Sequence, residues 1–277
     1  MRYNETERVK EAWAFYDEML EKKLDRIAEL SQVSRDHFIK INPAEFIEKS
    51  KYQRIDGYQY QSINKWIADH KTDETFLISP LDADEETAEQ ISYKSREGVG
   101  RKIRASKCEV VPVPKDIALD FCIRNHRQTL PHISVNAVYL GLLYHDELVA
   151  IMGYDTTTGA VRGKKDGYEL VRLAIAKGTQ VHGGASKLQK ACEDVLRQMG
   201  IDNIFSYSNA TINNGGVYKQ LGFTEGKLDN SQPFVIMNDN RLVRLVNLHP
   251  YSTCEELAIR HQFKSHVGGN KMWVKKI

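Results

Sequence analysis

The sequence lacks the features that mark zinc-binding, disulfide-rich, membrane-spanning and secreted proteins. It contains only four cysteines in 277 residues, with no CxxC pair among them, so neither a zinc cluster nor a disulfide framework is indicated and no metal site is predicted. No uninterrupted apolar run approaches the roughly 18 residues of a membrane helix, and the N-terminus lacks the apolar stretch of a secretion signal. These absences predict a soluble, cytoplasmic protein with free, mostly buried thiols.

The chain also lacks a large net charge of either sign, since 39 Lys and Arg residues oppose 37 Asp and Glu residues for a net charge of +2. This near balance excludes a uniformly basic nucleic-acid coat. It conceals a division, however, because residues 1–100 hold 15 basic and 21 acidic residues, whereas residues 101–277 hold 24 and 16. On this basis we predict an acidic, mainly helical module over 1–100 and a basic domain over 101–277.

The N-terminal part does contain a helical pattern. Between Asn4 and Ser31 apolar residues recur every three or four positions without a glycine or proline, which predicts one long amphipathic helix. Its apolar stripe packs either within its own domain or, although the spacing departs from strict heptads, against a second copy in a homodimer. Shorter helices are predicted over 44–49, over 61–70 and from the acidic run 82–89, and a strand over 75–78.

From Cys108 onward the pattern alternates between strands and helices. Strands are predicted over 108–114, 138–144, 147–155, 168–176, 203–208, near Phe223 and over 234–237, and helices over 115–128, 185–199 and 214–221. His145-Asp146 reads as the two-residue turn of a hairpin. The order predicts a mixed α/β (α+β) sheet flanked by helices. The basic, glycine-containing segment 96–104 is interpreted as the domain boundary.

A glycine-rich loop joins one of these strands to a helix, and it runs Gln180-Val181-His182-Gly183-Gly184-Ala185-Ser186. Glycines at such a junction let the backbone approach a ligand, and the first helical N–H groups point toward it. This geometry suits a pyrophosphate. The alternative is an ordinary tight turn.

A second motif follows roughly 30 residues downstream, Asn213-Asn214-Gly215-Gly216-Val217-Tyr218-Lys219-Gln220-Leu221-Gly222-Phe223. Together the two motifs resemble the GNAT acyltransferase superfamily, which has a Gln/Arg-x-x-Gly-x-Gly/Ala loop, a helix, a strand, and then a helix with a Tyr shortly before a Gly-Phe pair. The resemblance covers roughly residues 104–237. It implies a GNAT-like, mostly antiparallel sheet preceded by the helical N-terminal region.

The resemblance further implies that the chain uses acetyl-CoA or another acyl-CoA. The amides of the glycine-rich loop would hold its pyrophosphate, and the strand before the loop would pair along its pantetheine arm, with neighbouring strands splayed to make room. The cofactor-binding residues implied in this way are Leu173, Ala174, Ile175, Gln180, Val181, His182, Gly183, Gly184, Ala185, Ser186 and Asn214.

The same resemblance suggests catalytic roles. Tyr218 would act as general acid toward the departing thiolate, or would otherwise be a core aromatic. Glu169 stands where some of these enzymes keep a base; strand alternation places it on one face with Val171 and Leu173, where an apolar setting raises a carboxyl pKa, or else it faces solvent. His126 is a candidate base or a helix cap. Predicted substrate contacts are Arg172, Ser208 and Asn209, with strand-end turn chemistry as the alternative for the last two.

A narrower resemblance covers residues 101–277, through segments such as GLLYHDELVAIMGY, VHGGASKL and GGNKMWV. These are similar to a GNAT-like domain common in bacteriophage proteins and, more distantly, to Mom-type DNA-modification acyltransferases. It implies a phage-type enzyme of the host cytoplasm that moves an acyl group to an amine by direct attack. The alternatives are a non-catalytic interaction protein and a protein that modifies DNA bases, with phosphates held by Arg241, Arg244, Arg260, Lys264, Lys271, Lys275 and Lys276.

Overall fold

The computed structural model describes residues 5–41, 65–78, 87–88, 91, 100–126, 133–156, 167–236, 242–244 and 263–277, with backbone alone over 5–17, 227–236, 242–244 and 263–269. The helices are α1 (Glu5–Ser31), α2 (Lys115–Asn125), α3 (Gly184–Gln198) and α4 (Gly216–Gln220), and residues 65–70 are also helical. The strands are β1 (Phe38–Lys40), β2 (Phe76–Ile78), β3 (Arg101–Arg104), β4 (Glu109–Pro112), β5 (Val138–Tyr144), β6 (Glu147–Asp155), β7 (Gly167–Ile175), β8 (Thr179–His182), β9 (Asn203–Asn209), β10 (Thr224–Ile236), β11 (Leu242–Arg244) and β12 (Phe263–Lys276).

The chain forms two compact units. The first comprises Met1–Ser95, Asn209–Asn214 and Leu228–Lys271, and the second comprises Arg96–Ser208, Gly215–Lys227 and Met272–Ile277. The predicted boundary near residue 100 therefore lies where the chain first passes into the second unit. The first unit also takes in two later segments that the charge pattern assigns to the domain over 101–277. The division into domains 1–100 and 101–277 stays a prediction.

In the first unit, the C-terminal half of α1 supplies the core. Its Leu20, Leu24 and Ile27 are buried and pack with side chains from β1, β2 and later segments of the unit, namely Phe38, Ile78, Ala88, Ile91 and Ile212. This half of the apolar stripe is thus covered within its own unit, as one of the two interpretations requires. The side chains of Val9, Trp13 and Tyr16, in the other half, lie outside the described residues, as does the helix predicted over 44–49.

The main sheet runs in the order β4-β5-β6-β7-β9-β12-β10-β11. Its neighbours β4 to β7 pair antiparallel, as do β10 and β11, whereas β7 and β9 pair in parallel. The predicted mixed and mostly antiparallel sheet is confirmed. The predicted hairpin joins β5 to β6, and the positive φ angles of His145 (48°) and Asp146 (62°) are those of the type I′ turn that matches strand twist.

Helices cover both faces of this sheet in the second unit. Leu188, Cys192 and Leu196 of α3 pack with residues such as Met152 on one face. On the other face, Ala118, Phe121 and Cys122 of α2 pack with residues such as Ile151. Strands that are buried on both faces carry continuous rather than alternating apolar residues, which explains the apolar runs at 138–144 and 147–155.

Several elements differ from their sequence-based prediction. The helix predicted over 115–128 ends at Asn125, and the two strands predicted near Phe223 and over 234–237 are one strand, β10. Strands β3, β8 and β12 were not predicted, because each lies in a segment rich in glycine or charge. Such a segment lacks the local apolar pattern by which a strand is recognised. No helix in the described part of the chain is long and apolar enough to span a membrane. Cys108, Cys122 and Cys192 are free and buried.

Buried phenols and thiols make the stability of this fold sensitive to alkali. Burial raises the pKa of Cys122 to about 11 and raises the pKa values of Tyr139, Tyr154 and Cys192 still further. Because the unfolded chain then releases protons at lower pH than the folded one, stability is fully present below the unfolded pKa values of about 9 to 10. Above them we expect urea-unfolding free energies to fall by up to about 1.4 kcal/mol per pH unit per group.

The Tyr154→Phe variant provides the control, since Tyr154 donates to Gln189 Oε1 (2.7 Å) in the core of the second unit. Its unfolding free energy should decline less steeply between pH 9 and pH 11 than that of the wild type. Equal slopes in the two proteins would contradict the assignment.

Candidate active site

The candidate site is built around a gap between two parallel strands. The paired residues of β7 and β9 are Gly167 with Asn203, Tyr168 with Ile204, and Glu169 with Phe205, and the ladder ends there. Beyond it, β7 continues to Ile175 and β9 to Asn209. Two strands that stop pairing while both continue must separate, so the structure has the splay that the resemblance implies.

A β-bulge lies in β7 close to the point where this gap begins. Gly153 of β6 pairs with Arg172, whereas the next residue, Tyr154, pairs with Leu170, so Val171 is the extra residue. The sequence-based placement of Glu169, Val171 and Leu173 on one face is therefore wrong for Leu173. Val171 packs toward α2 and Leu173 toward α3, because one inserted residue reverses the alternation after it.

Tyr218 of α4 holds its hydroxyl where β7 and β9 part. Its Oη donates to the carbonyl of Tyr207 (3.2 Å) and lies 3.3 Å from Ser206 Oγ, which itself donates to the carbonyl of Leu170 (2.8 Å). The Ser206 bond spans from β9 to β7 one residue beyond the end of their ladder. The phenol therefore reaches the closed end of the gap.

The position of the Tyr218 ring is set by two aromatic neighbours. It stacks on Trp273 of β12 with centroids 5.2 Å apart and planes at 8°, and it meets Phe223 edge-on at 5.8 Å. The Tyr218 ring is therefore packed against the core, as the alternative interpretation requires, and its role as general acid stays a prediction.

Two charged residues of β7 act on this hydroxyl. Burial raises the pKa of Tyr218, the interaction with the Ser206 hydroxyl lowers it, negative charge at Glu169 raises it and the positive charge of Arg172 lowers it; the net direction is upward. Arg172 is half-buried, and burial lowers its own pKa, while Glu169 and Tyr218 are among the groups that oppose this shift. Tyr218, Glu169 and Arg172 therefore form one electrostatic group, with the phenol protonated at neutral pH.

The glycine-rich loop lies where β8 meets α3. The first hydrogen bond of α3 runs from the amide of Lys187 to the carbonyl of Gly183 (3.0 Å), so the N–H groups of Gly184, Ala185 and Ser186 have no partner within the helix. A Cβ on Gly184 would lie 2.9 Å from Val181 Cγ1 and 3.3 Å from Leu142 Cδ1. The loop backbone consequently packs at a distance that only glycine permits at that position.

Leu173, Ala174 and Ile175 lie on the edge of β7 beyond the end of its ladder with β9. On their other edge they pair with Met152, Ile151 and Ala150 of β6. The edge that is turned away from β6 therefore borders the gap, as pairing with an extended ligand would require.

His126 lies at the opposite end of β7 from Glu169. Its amide caps α2 by donating to the carbonyl of Cys122 (2.9 Å), and the neighbouring Asn125 Oδ1 accepts from the amide of Lys177, just after β7. Between Glu169 and Ile175 alone the strand rises roughly 20 Å. The structure does not bring the two candidate bases together, and it is Glu169 that shares the end of the gap with Tyr218.

Three further predicted contacts already have partners within the protein. The buried Ser208 accepts from Trp273 Nε1 (2.9 Å). Asn209 Oδ1 accepts from the amide (3.0 Å) and the hydroxyl (2.5 Å) of Thr211, and Asn214 Nδ2 donates to Asp73 Oδ1 (3.1 Å). For Asn209 this is the strand-end turn that was the alternative. Ligand contacts by these residues stay predictions.

The sequence analysis missed Ser206, Trp273 and Tyr139. Ser206 lies in the strand predicted over 203–208 but belongs to neither motif, and Trp273 is 55 positions from Tyr218 in the chain. The Tyr139 hydroxyl is buried without a hydrogen-bond partner in the described part of the chain, and the charges of Cys122 and Arg172 act on it. The sequence predicts only that Tyr139 lies in an apolar strand; its buried hydroxyl and charged neighbours depend on the fold.

The residues proposed for DNA phosphates are only partly described. Lys275 Nζ binds Glu193 Oε1 (2.5 Å), with side chains only 20% and 9% exposed, and also donates to the carbonyl of Leu221. Its role as a phosphate contact stays a prediction. Lys276 is exposed and Lys271 half-buried. The side chains of Arg241, Arg244, Arg260 and Lys264 lie outside the described residues.

Comparison with known proteins finds a family whose model matches the segment that holds this site. Residues 109–223 match the family model of the acetyltransferase (GNAT) family, and this segment contains the gap, the glycine-rich loop and Tyr218. This segment therefore matches a GNAT acetyltransferase domain, as the two motifs predicted. No curated protein matches the chain in sequence.

Solved structures with a similar fold include three bacterial proteins. The ribosomal-protein-S18-alanine N-acetyltransferase of Escherichia coli is 14% identical, with 61% of this chain and 94% of that chain covered and a TM-score of 0.40. The GNAT domain of S. lividans PAT is 15% identical, with 61% and 90% covered and a TM-score of 0.38. A GNAT acetyltransferase from Elizabethkingia anophelis with acetyl-CoA bound is 11% identical, with 62% and 99% covered and a TM-score of 0.39.

Proposed function

We propose that this protein transfers an acyl group from acyl-CoA to an amine by direct attack of the amine, with Tyr218 as the general acid. The observation that carries the proposal is the gap between β7 and β9, which has the Tyr218 hydroxyl at the end where the strands part. The glycine-rich loop follows β7 at its other end. A thioester cosubstrate supplies an activated acyl group, so the protein has mainly to hold and align the reactants.

The residues present fit an extended cosubstrate that carries a pyrophosphate. The amides at the start of α3 that lack a partner within the helix suit an anion. Gly184 packs closely on Val181, so no Cβ stands on the loop backbone at that position. The edge of β7 from Leu173 to Ile175 offers main-chain groups to a pantetheine arm in the manner of an added strand.

Tyr218 fits the role of proton donor because its pKa is raised, chiefly by burial, and its proton is retained at neutral pH. Glu169 is the better placed of the two candidate bases, since its charge acts on Tyr218 while His126 lies at the far end of β7. Arg172, in the same electrostatic group, is the candidate to orient the acceptor.

Added negative charge at the loop should weaken binding of the cosubstrate. We expect Ser186→Glu, at an exposed position in the first turn of α3, to raise the Kd of CoA and acetyl-CoA in calorimetry by about tenfold or more, since a carboxylate would oppose the pyrophosphate at short range. Gly184→Glu should abolish binding, because it adds the clash with Val181 to the charge.

Gln198→Glu is the matched control for these variants. It adds the same charge at an exposed position of the same helix, about 18 Å away along its axis, and should bind as the wild type does. Failure of the wild-type protein to bind acetyl-CoA or CoA would overturn the proposal, as would unchanged affinity in Ser186→Glu and Gly184→Glu.

The finer features of a phage-type enzyme rest on the sequence resemblance alone. A DNA base as acceptor belongs to this group, whereas a homodimer through α1 rests on the apolar stripe of that helix and a cytoplasmic location on the absences in the sequence. Lys275 is occupied by its ion pair with Glu193, so a DNA surface would depend on the other basic residues of the set.

A further inference from the structure

A strand that precedes the family-matched segment lies beside the glycine-rich loop. β3 pairs in parallel with β8, so that Ile103 is opposite Val181 and Arg104 is opposite His182. The GNAT family model begins its match at residue 109, so β3 is an addition to the part of the chain that the family defines. The segment that the sequence suggested as a boundary is thus built into the second unit.

Close backbone contacts hold β3 in this position. The amide of Arg101 donates to the carbonyl of Gly178 (2.8 Å), and a Cβ on Gly100 would lie only 2.5 Å from that same oxygen. Just after β3, Lys187 Nζ of α3 donates to the carbonyl of Ala105 (3.0 Å). Both ends of the strand are therefore fixed, one to the turn before β8 and the other to the first turn of α3.

This pairing gives the β3–β8 ribbon one apolar face and one polar face. Ile103 and Val181 are buried in the core on the α3 side, so the residues that alternate with them point away from it. The outward residues are Lys102, Arg104, Gln180 and His182. Lys102 and Arg104 are exposed, whereas the neighbouring Arg101 is paired with Glu147 (2.7 Å).

The two cations stand next to the loop that would hold the pyrophosphate. A Cβ on Gly183 would be 3.8 Å from the Cβ of Ala105, the residue after Arg104, and Arg104 is the Cα partner of His182. A ligand with a second anionic group, close to a pyrophosphate bound at Gly183 to Ser186, would meet these side chains.

We propose that Lys102 and Arg104 bind the 3′-phosphate of CoA and make the protein select the 3′-phosphorylated cosubstrate over its dephosphorylated form. This inference rests on the proposed function. A phosphomonoester carries up to two negative charges near neutral pH, which an ammonium group and the planar guanidinium fork both recognise. In CoA the ribose that bears the 3′-phosphate is joined directly to the pyrophosphate. The position of the 3′-phosphate is therefore limited by where the loop holds the pyrophosphate.

Calorimetry with two ligands tests the proposal in the wild-type protein. We expect CoA to bind about tenfold more tightly than dephospho-CoA, which is the effect that two exposed cations acting on one phosphate provide together. In the Lys102→Gln/Arg104→Gln variant the affinity for CoA should fall to that for dephospho-CoA, and the affinity for dephospho-CoA should stay the same. Lys115→Gln/Lys276→Gln, which loses two exposed charges elsewhere in the second unit, should retain the tenfold preference.

The outcomes separate this inference from the function on which it rests. Equal wild-type affinities for CoA and dephospho-CoA would overturn the role of β3 and leave acyl-CoA binding intact. Binding of neither ligand would overturn the proposed function and the inference with it. An equal loss of affinity for both ligands in the β3 variant would also overturn selection of the 3′-phosphate, because the two cations would then act on a part that the ligands share.

Discussion

Replacing Trp273 with alanine should lower the free energy of unfolding of the second unit by roughly 3–5 kcal/mol. Trp273 is completely buried and packs against the ring of Tyr218 on one side. A Cβ on Gly215 would fall 1.9 Å from its Cζ2, so the backbone of α4 begins in contact with the indole. Its removal would leave a cavity bordered by the helix that carries Tyr218, and the Ser208 hydroxyl would lose its donor.

Urea unfolding followed by tryptophan-independent circular dichroism measures this loss. Trp273→Phe is the matched comparison, since it keeps an aromatic ring for stacking but removes the N–H that Ser208 accepts; it should cost less, about 1–3 kcal/mol. A Trp273→Ala protein as stable as the wild type to within about 0.5 kcal/mol would show that β12 does not support α4 in this way.

Replacing Tyr218 with phenylalanine should lower the rate of acyl transfer by roughly 10²- to 10⁴-fold and leave the Kd of acetyl-CoA nearly unchanged. The substitution removes only the hydroxyl, which reaches Ser206 and Tyr207 at the end of the gap, while the ring can still stack on Trp273. The rate is measured as thiol release from acetyl-CoA with a panel of amines, and the Kd by calorimetry.

The pH profile distinguishes a proton donor from a packing residue. Because burial raises the pKa of Tyr218 above its usual 10, the phenol keeps its proton through neutral pH and loses it only as the pH rises through the higher folded value. The wild-type rate should therefore have an alkaline decline that Tyr218→Phe lacks. Ser206→Ala, which removes a hydrogen bond that lowers this pKa, should move the decline to higher pH. A rate for Tyr218→Phe equal to that of the wild type would contradict the acid role.

The site motifs could be predicted from sequence because each is local. A glycine pair between a strand and a helix predicts a close backbone turn whatever the strand's position in the sheet. The whole Gln180–Ser186 loop lies within seven consecutive residues, so the motif is recognised without knowledge of distant contacts. The α2 and α3 helices and the β5–β6 hairpin were predictable for the same reason, since periodicity and turn residues act over short distances.

The bulge in β7 shows where local patterns fail. Nothing in YELVRLAI marks Val171 as an extra residue. Both faces of β7 carry apolar residues, so the sequence does not show that the alternation of side chains reverses after Val171. Its existence depends on how β6 pairs with β7, which is a contact between strands. It decides that Leu173 faces α3, and thus which side chains surround the gap.

The amino-acid sequence by itself determined the order of the central strands and helices, the glycine-rich loop and the position of Tyr218 in a short helix before Gly222-Phe223, since these depend on residue types at close spacing. Only the tertiary structure decided which other residues lie next to the glycine-rich loop and Tyr218. It paired Lys275 with Glu193, separated His126 from Glu169, placed Trp273 behind Tyr218, and brought β3 with Lys102 and Arg104 to the loop. All of these are pairings between residues distant in the chain, and their register is set by the packing of the whole unit rather than by any one segment.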